Sequence, residues 1–238
     1  SGRNTYHRRR RATVIRQTST ATPLVTADRK SSAPSEHRLS AAYSDGMTAK
    51  RLSTIGSVVD AHLCTGCGAC AHVRPDALTM TDIPRVGRRP LPVAGGDQEV
   101  SGAAVAVCPG RRLEHADGAL DGAPFGGEWG PVLALYECWS TDPELRHRGS
   151  SGGVVSAVAA HALTSGAAVG VLQVRASTDD PLRNETVLNR TCEQVVSSAG
   201  SRYAPASPCE RLDLVEEADG PCVVVGKPCD IAAVRAVA

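Results

Sequence analysis

Aromatic side chains, long apolar runs and a strong charge of either sign are all scarce in this chain. Aromatic residues make up 3% of its 238 residues, with a single phenylalanine, so the interior has to be built mainly from Ala, Val and Leu. A core of that kind suits helices packed on a sheet. No apolar run approaches the roughly 18 residues that a membrane span needs. We therefore expect a cytoplasmic protein without a transmembrane segment.

The net charge is only +1, which gives no reason to expect a nucleic-acid partner. Charge is unevenly distributed, because residues 1–46 carry nine Arg or Lys against three Asp or Glu. This stretch has no helical or alternating apolar period, and it lacks the apolar segment of an export signal. We expect 1–46 to be a disordered basic leader that precedes the folded unit, with Met47 opening the patterned sequence.

Nine cysteines in a chain without an export signal favour metal ligation or thiol chemistry over disulfides. Cys64, Cys67 and Cys70 form the pattern C-x2-C-x2-C, and a distant Cys108 is followed at once by Pro109. A ferredoxin cluster takes its ligands from such a triplet and from a remote Cys-Pro. The spacing therefore predicts a [4Fe–4S] cluster on these four cysteines. Four of the others, Cys138, Cys192, Cys209 and Cys222, show no ligand spacing and are expected to be core or surface thiols.

A second cluster is not expected, because the close fourth cysteine of a two-cluster ferredoxin is replaced here by Arg74. Gly66 and Gly68 let the backbone wrap tightly and direct N–H groups at the sulfurs. Two alternatives stay open. A structural zinc site also takes four thiolates but usually shows paired C-x2-C knuckles, and a thioredoxin-like C-x-x-C has no third cysteine at the same spacing.

Residues 56–112 are expected to form a small ferredoxin-like module around the cluster. Ala77–Met80 is predicted to be a strand, and the Pro- and Gly-rich stretch Pro84–Gly96 a loop. Ser101–Val107 is predicted to be a short helix or strand that delivers the fourth cysteine. Residues 113–129 are expected to be a connector.

Apolar segments alternate with loops from residue 130 onward, which predicts an α/β domain over 130–238. The overall prediction is thus an α/β fold, α+β when the cluster module is included. The predicted elements are strands at Pro131–Cys138, Ala168–Val174 and Cys222–Gly226 and helices at Val154–Thr164 and Asp230–Val237.

A Gly- and Ser-rich loop, Ser150-Ser151-Gly152-Gly153, opens the first of these helices. Unpaired N–H groups and the positive end of the helix dipole suit a phosphate or another anion there. An ordinary serine cap with glycines in the turn is an equally good interpretation.

The last helix is preceded by Lys227 and Cys229 in a strand–loop–helix segment. The helix dipole and the lysine would favour the thiolate form of Cys229. The alternative is a plain turn in which Asp230 caps the helix and Cys229 only packs.

Three segments of the chain together resemble the beta-subunit family of coenzyme F420 hydrogenases and dehydrogenases. They are the cysteine triplet with Cys108-Pro109-Gly110, the stretch Arg148–Val155, and Ser201-Arg202-Tyr203 with Val225–Asp230. The resemblance implies an iron–sulfur flavoprotein oxidoreductase subunit, which passes electrons between a [4Fe–4S] cluster and FAD, and on to or from coenzyme F420 or a similar two-electron acceptor.

The resemblance also implies roles for individual residues. It implies that Ser150, Ser151, Gly152 and Gly153 lie beside the flavin, that Ser201, Arg202 and Tyr203 line its pocket, and that Lys227 and Cys229 approach the isoalloxazine ring. A redox partner subunit or a ferredoxin is the expected protein partner. Family members continue past the Gly-x-Pro-Cys turn, so we expect a C-terminally truncated member with an incomplete flavin domain. The alternative is a non-catalytic, ferredoxin-like electron-transfer subunit without flavin.

Overall fold

The computed structural model of the chain describes residues 52–94, 96, 100–113 and 136–238. These residues form two small sheets with short helices beside them. The leader predicted at 1–46 lies outside these residues. So does the connector predicted at 113–129, apart from Leu113. Within the described residues, no helix combines the length and the apolar character that a membrane span requires.

The N-terminal part of the structure surrounds the cysteine motif. Its elements are α1 (Ile55–Asp60), α2 (Ala69–Val73), β1 (Leu78–Ile83), β2 (Gly87–Pro92) and α3 (Ala103–Ala106). The strand predicted at Ala77–Met80 is present as β1, and the element predicted at Ser101–Val107 is the helix α3. β1 and β2 pair as an antiparallel hairpin, with Leu78 opposite Pro92 and Ile83 opposite Gly87.

The loop predicted at Pro84–Gly96 is wrong at its centre, which is occupied by β2. Pro90 and Pro92 suggested a loop, since a proline cannot donate a hydrogen bond within a sheet. The sheet formed by β1 and β2 has only two strands, so β2 has a free edge along which no N–H is needed. Pro90 is buried opposite Met80.

The C-terminal part contains the second sheet and five helices in the described residues. Its elements are α4 (Pro143–Arg148), α5 (Val154–Thr164), β3 (Gly170–Ala176), β4 (Asn184–Asn189), α6 (Cys192–Ser197), α7 (Asp213–Glu216), β5 (Cys222–Val224) and α8 (Pro228–Val237). Short 3-10 turns at Ser151–Gly153 and Pro208–Arg211 precede α5 and α7. β3 is the central strand; it pairs antiparallel with β4 and parallel with β5.

Most of the predicted C-terminal elements are present with shifted ends. The helix predicted to begin at Asp230 begins instead at Pro228, because proline is well suited to the first helical position. Asp230 does cap the helix, but from its third position: the Lys227 backbone N–H donates to Asp230 Oδ2 at 2.9 Å. The strand predicted at Pro131–Cys138 lies mostly outside the described residues, and 136–138 are not in a strand.

A hydrophobic cluster joins the two parts of the structure. Its buried members come from both sides: Cys67, Ala69 and Val107 from the first part, and Leu172, Cys209, Leu212 and Ala233 from the second. The fold is thus a mixed α/β arrangement of the α+β type, as predicted. The description of its two parts as an iron–sulfur module and a flavin domain stays a prediction.

Replacing Leu172 with alanine tests the importance of this shared cluster. Leu172 is fully buried on the central strand, so Leu172→Ala is expected to lower the free energy of unfolding by about 2–5 kcal/mol. Val158→Ala is the control, since Val158 is 47% exposed on α5 and should cost less than about 0.5 kcal/mol. Urea denaturation followed by circular dichroism measures both. Equal losses in the two variants would contradict the assignment of the core.

Candidate functional site

All four predicted cluster cysteines line one small cavity. Its remaining lining is largely apolar and includes Ile55, Val58, Val59, Met80 and Pro90. Burial raises the pKa of Cys70 to about 12, and the neighbouring sulfurs contribute further to this increase. Burial also raises the pKa values of Cys64 and Cys108. Thiolates that converge in this way repel one another unless a cationic centre lies between them.

Cys67 differs from the other three because a fifth cysteine contacts it. A hydrogen bond with the Cys209 side chain lowers the pKa of Cys67 to about 7, against the effect of burial. The same hydrogen bond raises the pKa of Cys209, which is fully buried. The Cys209 backbone N–H also donates to the Cys67 carbonyl oxygen at 2.9 Å. The cysteine spacing gives no signal for this contact, which arises only because the chain folds back on itself.

The glycines of the motif are required by close backbone contacts as well as by the turn. Gly66 and Gly68 have φ angles of 73° and 93°, in the left-handed region. A Cβ atom on Gly66 would lie 2.7 Å from the Arg88 carbonyl oxygen, and one on Gly68 would lie 2.7 Å from the Glu210 nitrogen. The loop therefore lies directly against β2 on one side and the 208–211 turn on the other.

Side-chain hydrogen bonds fix the loop in this position. The Ser207 hydroxyl donates to the Gly66 carbonyl oxygen at 2.7 Å and accepts a hydrogen bond from Arg88 Nε at 2.8 Å. Arg88 in turn forms an ion pair with Glu210. Because Ser207 is buried, its hydrogen bond to the Gly66 carbonyl oxygen is shielded from water.

The distant Cys108 is held beside the triplet by backbone packing. A Cβ atom on Gly110 would lie 2.4 Å from the carbonyl oxygen of Leu63, so only glycine permits this approach. Arg74, at the position of the missing close cysteine, directs its guanidinium to Asp76 at 2.8 Å, and both side chains are exposed. Arg74 is not part of the cavity lining.

The donor set of the cavity fits an iron–sulfur cluster. Four cysteines and an apolar wall are the surroundings that a cluster held by thiolates requires. In the part of the chain that the structure describes, no three His, Cys, Asp or Glu side chains are arranged to hold a single metal ion. A structural zinc site would draw on the same four thiolates.

A cleft of about 720 Å³ lies on the other side of the cysteine loop. Thr65 and Gly66 line both the cysteine cavity and this cleft, so the loop is the wall between them. Six of the predicted flavin and catalytic residues line the cleft: Ser150, Ser151, Ser201, Arg202, Tyr203 and Lys227. A volume of this size is typical of a site for a cofactor or another small molecule.

The cleft lies at the carboxyl ends of the parallel strands β3 and β5. Gln173 and Val174 line it from β3, and Val225 and Gly226 from the turn after β5. Ligands of α/β proteins commonly bind at this edge of a parallel pair. The N-terminal ends of α5 and α8 also reach the cleft, where Val155 and Lys227 belong to its lining. Two positive helix ends thus face one space.

Hydrogen bonds connect the predicted segments around the cleft. The Ser201 backbone N–H donates to the Ser150 hydroxyl at 2.8 Å, which joins the loop before α5 to the 201–203 segment. Arg202 is anchored on β4 because its Nε donates to Asn184 Oδ1 at 2.9 Å. Tyr203 is 98% exposed, so its ring stands free at the edge of the cleft.

Three of the predicted site residues lie outside the cleft lining: Gly152, Gly153 and Cys229. The two glycines are needed for packing, since a Cβ atom would lie 3.0 Å from the Trp139 Cβ at Gly152 and 2.4 Å from the Leu145 carbonyl oxygen at Gly153. Cys229 is partly buried at the start of α8.

Two basic residues of β2 also belong to the cleft, although neither is among the site residues predicted from the sequence. Arg88 and Arg89 both line it, and the Arg89 guanidinium donates to the Arg88 carbonyl oxygen at 2.7 Å. The positive charge of Arg89 partly opposes the effect of burial on the pKa of Cys64. The adjacent arginines are visible in the sequence, but their position in a predicted loop gives no indication that they line the cleft.

A family model matches part of the chain. Residues 135–212 match the family described as coenzyme F420 hydrogenase/dehydrogenase, beta subunit N-terminal region. The matched span includes the cleft residues Ser150 and Ser151 and the segment Ser201–Tyr203, but neither the four cysteines nor Lys227. No curated protein sequence matches the chain.

Substitution of Gly66 tests the close contact between the cysteine loop and β2. Gly66→Ala is expected to lower the free energy of unfolding by about 2–4 kcal/mol, because alanine would be strained at this φ and its Cβ would clash with the backbone of β2. Gly166→Ala is the matched control, because Gly166 also has a positive φ, of 74°, but a Cβ atom there meets nothing within 4 Å. The control should lose only about 1–2 kcal/mol. Thermal and urea unfolding measure both, and equal losses would show that the contact is not tight.

Proposed function

We propose that this chain, a member of the coenzyme F420 hydrogenase/dehydrogenase beta-subunit family over residues 135–212, passes electrons between a [4Fe–4S] cluster and FAD. Coenzyme F420 or a similar two-electron compound is the proposed small-molecule partner of the flavin. Membership in this family indicates a redox role beside partner subunits. A flavin suits this role, because it exchanges single electrons with a cluster and electron pairs with an organic acceptor.

The shared wall between the two cavities is the observation that supports this proposal best. Thr65 and Gly66 line the cysteine cavity and the cleft alike, so cofactors bound in the two spaces would be separated by one turn of backbone. An independent electron carrier needs no cleft of this size directly behind its cluster. A flavin enzyme fed by a cluster needs both spaces side by side.

The polar lining of the cleft suits the phosphate end of FAD. The N-terminal ends of α5 and α8 supply partial positive charge, and Ser150 and Ser151 add hydroxyl groups at the first of them. Arg89 and Arg202 supply full positive charge to the same space. We assign these residues to the binding of the pyrophosphate and of other anionic oxygens.

The residues proposed for the reacting end lie near α8. The Lys227 ammonium is 2.8 Å from the buried Asp230 carboxylate, which fixes its position in the cleft lining. Asp230 also lines the cleft and offsets the charge of Lys227, so the proposed role of the ammonium is that of a fixed hydrogen-bond donor to the ring. Cys229 follows two residues later but lies outside the lining, so Lys227 is the better supported of the two residues.

Replacing Cys108 with serine tests the cluster ligands. Serine removes the thiolate and keeps the size, so Cys108→Ser is expected to lose most of the bound iron after anaerobic reconstitution. Cys192→Ser is the control, because Cys192 contacts the Ala160 carbonyl oxygen and does not line the cavity. Iron and sulfide analysis with the visible absorption spectrum measures both. A complete cluster in Cys108→Ser would show that the ligand assignment is wrong.

Cofactor content tests the function as a whole. Anaerobic purification of the protein is expected to give about four irons and one FAD per chain, with flavin reduction by reduced ferredoxin or reduced coenzyme F420. Four irons without FAD would support the non-catalytic electron-transfer subunit and contradict the flavin enzyme. Zinc without iron would contradict both.

A further inference from the structure

Gln173 is a buried polar residue that no part of the proposed electron path uses. It lies on the central strand β3, is only 6% exposed, and lines the cleft. Its Nε2 donates to the carbonyl oxygen of Ser198 at 3.1 Å. This hydrogen bond fixes the orientation of the side-chain amide, because a carbonyl oxygen can only accept and the NH2 group must face it.

The other end of the same amide has no partner. Among the described residues, Gln173 Oε1 is the one buried side-chain oxygen or nitrogen that lacks a hydrogen bond. A buried acceptor without a donor is costly, and such atoms in a well-packed structure call for an explanation. Rotating the amide would not help, since it would place this oxygen against the Ser198 carbonyl. A hydrogen-bond donor on a molecule bound in the cleft would supply the missing partner.

The surroundings of Gln173 indicate a ring with an N–H group. Val155, Val174 and Val225 are apolar residues of the same cleft lining, which suits a flat ring. An oxygen that can only accept, in the lining of such a cleft, selects for a hydrogen-bond donor on the edge of that ring.

We infer that Gln173 Oε1 accepts a hydrogen bond from the imide N–H, at ring position N3, of a flavin bound in the cleft. This inference rests on the proposed function, because it takes the cleft to be the flavin site. Gln173 then selects and positions the ring, while the serines and arginines hold the phosphates. It adds to the site a residue that the resemblance to the family did not indicate.

Binding of FAD and of an FAD analogue methylated at N3 tests the inference, because the methyl group removes the donor. The wild-type chain, measured by flavin fluorescence, is expected to bind FAD about 10- to 100-fold more tightly than the analogue. Gln173→Leu should bind FAD more weakly and discriminate less than about 3-fold, because it has no acceptor. Gln173→Met is measured alongside, so that the result does not depend on the folding of one variant.

Ser140→Ala is the control. Ser140 is also buried, its hydroxyl accepts a hydrogen bond from the Asp142 backbone N–H at 3.2 Å, and it does not line the cleft. This variant should discriminate between the two flavins as the wild type does. Equal binding of FAD and the analogue by the wild type, or undiminished discrimination in Gln173→Leu and Gln173→Met, would overturn the inference and leave the proposed function standing. Failure of the wild type to bind FAD at all would overturn both.

Discussion

The cysteine loop is held in place by residues that lie more than a hundred positions away in the sequence. The Ser207 hydroxyl and the Cys209 backbone N–H donate to the carbonyl oxygens of Gly66 and Cys67, at 2.7 and 2.9 Å. These two hydrogen bonds are buried, so breaking either would leave unpaired polar groups away from water. Because of them, the loop that carries the cysteines also forms a wall of the neighbouring cleft. The proposed path between two cofactors depends on this contact.

Hydrophobic packing reinforces the same junction. Ala69 and Val107 beside the cysteines pack in one cluster with Leu172 and Ala233 from the sheet and the last helix. Burial of apolar surface on this scale stabilises the relative position of the two parts more than any single hydrogen bond does. The relative position of the cavity and the cleft is therefore fixed by packing in the core that the two parts share.

Local features of the sequence predicted much of this arrangement. The spacing of Cys64, Cys67 and Cys70 with the remote Cys108 predicted which four cysteines share a cavity, and the Gly/Ser loop before α5 predicted where one wall of the cleft lies. The cysteine triplet and the Gly/Ser loop are short segments, in which residue type and spacing determine the backbone conformation. The ends of the elements are predicted less accurately: α8 begins at Pro228, whereas its predicted start is Asp230.

Contacts between distant segments account for what the sequence did not predict. Cys209 has no ligand spacing, yet the fold places it against Cys67. Arg89 lies in a proline-containing stretch that was predicted as a loop and is a strand. Gln173 Oε1 lacks a hydrogen bond because of the residues that the fold places around β3. No local sequence pattern indicates which residues these are. Each of these features becomes visible only once the tertiary structure brings the segments together.

We propose that the cluster and the flavin occupy adjacent spaces on either side of the loop at Thr65 and Gly66. A crystal structure of the reconstituted, FAD-loaded protein, grown anaerobically and with anomalous diffraction recorded at the iron edge, tests this arrangement. The arrangement places iron density among Cys64, Cys67, Cys70 and Cys108, and flavin density against the opposite face of the loop. Iron outside this cavity, or a flavin bound away from the cleft, would contradict it.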